Sequence, residues 1–384
     1  MKGSPIPLSV LDLIPVASGS TPAEAVRNSI DLAQQAERLG YHRYWFAEHH
    51  LNPGVAATAP AVMIGLVAGV TTRIRVGSGG VQMGHRTPLS VVEEFGLLDA
   101  VFPGRLDLGL GRTLGTPRRR PDDSSTKPAG PRPRRPKPPA RVVGGVLIPS
   151  PPSLGKMRHS SLVSLGRELL QQPDAITPGY TDQIGDIIAL LRGEYRGEAG
   201  LPARVHPGQG AAVQLWILGS SGGESADVAG QNALRFAANY HVSPATILEA
   251  VEGYRAAFVP GPELSRPYVC VSVDAVVAET DECARELAEG YGLWVLGIRS
   301  GEGAEPYSSP GEARAHRWTE EERALVVDRV ETQVVGSPAA VVEQIGRIVD
   351  VTGADEVVVT TMTHGHADRV RSYALLAEHW DRWS

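Results

Sequence analysis

Tyr41-His-Arg-Tyr-Trp-Phe-Ala-Glu-His-His50, Arg73-Ile-Arg-Val-Gly-Ser-Gly-Gly80 and Gly104-Arg-Leu-Asp-Leu-Gly-Leu-Gly-Arg112 share one design. Each carries a short apolar run that ends in polar or glycine-rich residues, with a helical stretch before the next. Read as parallel strands, they place Glu48, His49, Gly79, Gly80, Gly111 and Arg112 at strand C-terminal ends. In a closed β/α barrel those ends form one rim, where active sites sit.

The same rhythm extends in both directions. Ile6–Ile14 suits a buried first strand. Thr21-Pro-Ala-Glu24 opens a helix, with the threonine as N-cap, proline in the first turn and the acid at the third position; Gly40 stops it. Pro60–Thr71 and Pro88–Val101 read as the next helices. Later strands are expected at 214–218, 234–238, 268–277 and 356–361, separated by helical patterns that include 338–351 and 367–380. Eight strands in continuous alternation with helices predict a (β/α)8 TIM barrel in one domain spanning 1–384, with a doubly wound open sheet as the runner-up. Residues 113–155 break the rhythm: Arg118-Arg-Arg120 and Pro131-Arg-Pro-Arg-Arg-Pro-Lys-Pro-Pro139 hold few large apolar side chains. This segment is expected to be a long flexible insertion after strand four. It is either a solvated loop or a lid carrying an arginine to an anionic cofactor.

Composition narrows the function. With 384 residues, 42% hydrophobic and 21% charged, the chain has the material for a large core. A net charge of −6 gives no reason to expect nucleic acid or an anionic membrane as partner. Cys270 and Cys283 lack any CxxC or Cys/His cluster, which argues against a disulfide framework or structural zinc. No apolar leader core or membrane-length span is visible, so a cytoplasmic location is expected.

Gly219-Ser-Ser-Gly-Gly-Glu-Ser225 leads from a strand into a helix. Its backbone N–H groups would meet the positive end of the helix dipole, and Ser220, Ser221 and Ser225 could add hydroxyls around Gly222 and Gly223. That suits a phosphate, as does the guanidinium of Arg112; a tight turn and a surface arginine are the plain alternatives. Gly77-Ser-Gly-Gly80 suggests either a flat ligand against backbone or a simple bulge. Glu48-His49-His50 offers groups that titrate near neutrality, or a structural pair. His85, His364 and His366 show no zinc-like spacing, so no metal centre is expected. The absence of a Gly-x-Ser-x-Gly elbow argues against a serine hydrolase.

Taken together, Tyr44 to His50, Pro88-Leu through Glu93-Glu-Phe-Gly-Leu-Leu-Asp99, Pro103 to Arg112, Trp216-Ile-Leu-Gly-Ser-Ser-Gly222 and Val335-Gly-Ser-Pro through Gly353-Ala-Asp-Glu356 resemble the bacterial luciferase-like flavin monooxygenases. The resemblance implies a barrel that binds reduced FMN (FMNH2), supplied by a separate reductase, and uses O2 through a C4a-peroxyflavin. The substrate would be a small organic molecule such as a polyketide or other natural-product intermediate. It assigns Gly79 and Gly80 to the bed beneath the flavin ring, where a non-proline cis peptide is common, and Arg112 and the 219–225 turn to the phosphate. His49 becomes the active-site histidine, with Glu48 orienting it. Gly111 falls where luciferase carries a reactive cysteine. A homodimer is also implied. Two departures stand out: relatives usually carry histidine where this chain has Arg86, with His85 before it, and the 113–141 segment replaces the usual cover after strand four. The alternatives are a deazaflavin-dependent oxidoreductase transferring hydride and a non-catalytic flavin-binding dimer partner.

Overall fold

In the computed structural model, residues 6–112, 137–153, 155–158 and 160–380 are described. The strands are β1 (Leu8–Asp12), β2 (Arg43–Phe46), β3 (Arg75–Ser78), β4 (Val81–Gln82), β5 (Leu106–Gly111), β6 (Arg141–Val143), β7 (Val146–Ile148), β8 (Gln214–Gly219), β9 (Arg235–Asn239), β10 (Val269–Val277), β11 (Val334–Gly336) and β12 (Glu356–Thr360). β1, β2, β3, β5, β8, β9, β10 and β12 pair in that order, all parallel, and β12 returns to β1. The result is a closed (β/α)8 barrel. β4 and β11 are short parallel additions on β5 and β10.

The strands are hydrophobic on both faces because helices cover the outside while side chains fill the inside. Every residue of β1 and of the nine-residue β10 is buried. Helix Pro22–Arg38 starts as its sequence demands: Thr21 Oγ1 accepts from Glu24 N at 3.2 Å, and Gly40 turns the chain away at φ +83°. Toward the N-terminal side of the barrel interior, Arg43 is clamped between Asp107 and Glu356, each at 2.9 Å. Trp45 Nε1 donates to Asp107 at 2.9 Å. These buried charges are paired on both sides, which is the condition for tolerating them there.

The insertion expected over 113–155 departs from that reading in its second part. Arg118 to Arg120 and the segment 113–136 lie outside the described residues, but 141–148 form the antiparallel β6–β7 hairpin. Gly144 and Gly145 take φ +55° and +82° at its turn, and Val146 and Ile148 are buried. A Gly-Gly pair flanked by Val, Leu and Ile is a hairpin signal, masked in the sequence by the prolines before it. Between β10 and β11 the chain forms helices that include Asp281–Leu287 and Tyr291–Ser300.

Candidate active site at the barrel rim

Glu48, His49 and His50 follow β2 directly, at the C-terminal rim. Side chains in extended chain alternate, so Glu48 and His50 share a side and His49 faces away from them. The Glu48 carboxylate is buried and accepts three bonds: His50 Nε2 and His85 Nε2, both at 3.0 Å to Oε1, and Gln82 N at 2.9 Å to Oε2. Gln82 Nε2 also donates to the Glu48 carbonyl at 2.6 Å. Burial pushes the carboxyl up, but the bonds from His50, His85 and Gln82 outweigh it and hold the group at about 2. It is therefore a carboxylate at neutral pH. Where the resemblance implies a partnership of Glu48 with His49, the carboxylate's bonds go instead to His50, His85 and Gln82.

His49 is exposed to solvent at the rim, although protein atoms crowd around its position. Burial is the main force pushing it down to about 4; His50 adds to this and Glu48 opposes it. His49 thus carries a neutral imidazole near pH 7, able to accept or to donate one proton. His241, two residues beyond β9, belongs to the same region: His49 is among the charges that depress it to about 3, after burial and Arg329. Ser272 Oγ lies 2.5 Å from His241 Nδ1 and 3.4 Å from the Ala238 carbonyl. Sequence reasoning missed His241, although a histidine just beyond a short apolar run mirrors the position of His49.

Gly79 and Gly80 join β3 to β4 through a cis peptide bond, as the resemblance implies. A Cβ on Gly80 would come within 2.7 Å of the Gly109 carbonyl, so close packing inside the barrel already requires glycine. Arg86 Nη1 pairs with Glu94 at 2.8 Å, while its Nε lies 3.8 Å from Glu48. His85, one residue earlier, takes the carboxylate.

Gly111 ends β5, and Arg112 follows with its side chain 43% exposed. Its Nη1 donates to Glu224 Oε2 at 3.2 Å. Glu224 is the first residue of helix Glu224–Gln231, which follows β8 and the 219–223 turn. The fold therefore brings Arg112 and the Gly/Ser turn together from 112 residues apart. That helix has Gly223 at its N-cap with no side-chain cap bond, so its first N–H groups remain available to an anion. Gly222 is needed where the turn meets helix Ile247–Ala257, since a Cβ would lie 2.7 Å from the Glu249 carbonyl. Ser220 and Ser221 are half-buried, and Ser225 is buried in the first helical turn.

A closed parallel barrel with an uncapped helix N-terminus, an arginine and a histidine on one rim defines a cofactor-type site. The luciferase-like monooxygenase family matches residues 6–132 and 180–356, and the chain belongs to it. It is 31% identical over 376 residues to the luciferase-like monooxygenase of Escherichia coli (strain K12), covering 98% of this chain and 97% of that protein. The protein YvbT of Bacillus subtilis (strain 168) is 37% identical over 373 residues, 97% of this chain and 96% of its own. Among solved structures, apo-MsnO8 aligns with TM-score 0.75 at 31% identity over 97% of this chain and 98% of its own. The fold is also that of a diketocamphane monooxygenase constituent in complex with FMN and of an alcohol dehydrogenase in complex with an F420–acetone adduct. At 17% and 13% identity these two show the fold alone. The chain is thus an oxidoreductase of the luciferase-like monooxygenase family. Among the described residues, no helix is long and apolar enough to cross a membrane.

Proposed function

We propose that this enzyme binds reduced FMN and uses O2 to oxygenate a small organic substrate, such as a polyketide or other natural-product intermediate. The observation that carries the reading is the meeting of Arg112 with the uncapped helix 224–231 on the rim that also holds His49. Arg112 would grip the flavin phosphate together with N–H groups and hydroxyls of 220–225. Displacing Glu224 from the arginine costs little, because an exposed ion pair contributes only about 0–1 kcal/mol. Gly79 and Gly80 would support the ring, leaving Gly111 without a side chain beside it.

Bound reduced flavin supplies the two electrons that activate oxygen. The chain's own contribution is positioning, water exclusion and proton handling. His49, neutral at pH 7, is the group that would exchange a proton with the reacting oxygen or the substrate. Glu48 holds His50 and His85 rather than His49, and so shapes the wall of the site.

A separate flavin reductase would supply the reduced cofactor in the cytoplasm. A homodimer is supported by the apolar residues exposed on neighbouring helices: Val62 and Leu66 on one, Leu97 and Val101 on the next. The test is a parallel anaerobic titration with reduced FMN and with F420, followed by mixing with oxygen. Tight FMN binding with oxygen uptake coupled to substrate oxidation supports the reading. Tight F420 binding in its place moves the activity to hydride transfer.

A further inference from the structure

Glu48, His50 and His85 converge at the rim from two different loops. One carboxylate oxygen and one ring nitrogen from each histidine lie within 4.8 Å of one another. Both Nε2 atoms stand 3.0 Å from the same Glu48 Oε1. With metal–ligand bonds of about 2.1 Å, adjacent ligands of an octahedron are roughly 3.0 Å apart, so this spacing is that of neighbouring corners around one ion. The two imidazoles meet edge to face with centroids 5.1 Å apart, both aimed at the shared oxygen.

We propose that these three side chains bind one divalent transition-metal ion in a two-histidine, one-carboxylate arrangement with its remaining positions open to solvent. Two nitrogen donors with a single carboxylate favour Zn2+, Co2+ or Ni2+ over the all-oxygen preference of Mg2+ and Ca2+. Gln82 fixes Glu48 in place, its N on Oε2 and its Nε2 on the main-chain carbonyl, so that Oε1 is the oxygen turned toward the two histidines. The His50 side chain is 19% exposed, giving an entry path, whereas those of Glu48 and His85 are 0% and 8% exposed.

Metal binding requires a lone pair on each Nε2, so the ring protons now facing Glu48 move to Nδ1. His85 Nδ1 is buried and has no hydrogen-bond partner. The bond to Glu48 therefore favours the opposite tautomer of His85 until an ion displaces that proton, and no partner at Nδ1 supports the metal-binding one. The missing outer partner makes the site weaker than a structural zinc centre. Arg86 opposes the ion through its 3.8 Å approach to Glu48 Oε1, tempered by its bond to Glu94.

The experiment titrates the flavin-free full chain with Co2+ by visible absorption and with Zn2+ by calorimetry, using Mg2+ as the control ion. The expected result is one Co2+ per chain with ligand-field bands and no comparable Mg2+ affinity. His85→Ala and the shape-conserving Glu48→Gln should each weaken Co2+ binding at least about tenfold. Arg86→Ala should tighten it, while His366→Ala on the outer helix should change nothing. Thermal melts of each variant separate lost ligation from lost folding. Absent bands, equal Mg2+ affinity, or Co2+ binding that survives both ligand substitutions in folded protein would overturn the proposal. Because no flavin is present, a failure here leaves the FMN reading standing, and the reverse also holds.

Discussion

Arg112 Nη1 and Glu224 Oε2 lie 3.2 Å apart, tying the end of β5 to the first residue of the helix that follows β8. The pair is half-exposed and sits where a negatively charged ligand would meet both the guanidinium and the helix N-terminus. Arg112→Ala should weaken FMN binding by roughly ten- to a hundredfold, the loss of one charge-assisted contact worth about 1.5–3 kcal/mol. Glu224→Gln should strengthen it modestly by removing the competing carboxylate. Fluorescence titration reads both, and unchanged affinity in the arginine variant would remove Arg112 from the cofactor site.

His49→Ala tests the proton-handling role apart from binding. FMN affinity should stay nearly unchanged, while substrate oxygenation slows by about 10²–10⁴-fold, the usual contribution of a positioned acid or base. Lost flavin affinity with normal coupling of oxygen use to product would refute the assignment.

Gly222→Ala probes the turn without touching a charge. The added Cβ would sit 2.7 Å from the Glu249 carbonyl, so either the turn or helix Ile247–Ala257 must shift. A stability loss of about 1–3 kcal/mol is expected from such overpacking, with a parallel loss of FMN affinity. A variant with the parental melting temperature and affinity would show that the contact relaxes freely.

Asp274 gives the stability profile a definite sign. Burial raises its carboxyl from 3.8 to about 6, with Gln333, Arg329 and Tyr291 pulling the other way. The unfolded chain releases this proton near 3.8 and the folded chain only near 6. The folded state therefore binds more protons in that window, and stability falls as pH rises through it, by on the order of 3 kcal/mol. Asp274→Asn keeps the bond from Gln333, 2.9 Å long in the parent, and should flatten the melting-temperature profile between pH 4 and 6. Parallel profiles for parent and variant would contradict the assignment.

Much of the architecture is readable from local signals. Helix Pro22–Arg38 is announced by Thr21, Pro22, Glu24 and Gly40, all within one turn of its ends. Gly144-Gly145 shows the limit of weighing such signals one at a time. The prolines and arginines before it dominate the composition of 113–155, although a turn residue needs only its immediate neighbours to form a hairpin. At the site, the strand ends at Glu48, Gly80 and Arg112 are legible because polar or glycine residues close apolar runs. The partnership of Glu48 is not, since His85 reaches it from 37 residues away.

By itself, the sequence determined the alternation of buried strands with capped helices, and with it the barrel and the rim on which chemistry-bearing residues emerge. Periodicity and capping are contacts between residues a few positions apart, so they are written along the chain. Only the tertiary structure decided which of those rim residues touch. It turned Glu48 toward His50 and His85, left His49 open beside His241, and brought Arg112 to the helix after β8. Closing the barrel sets distances between loops that local spacing does not encode.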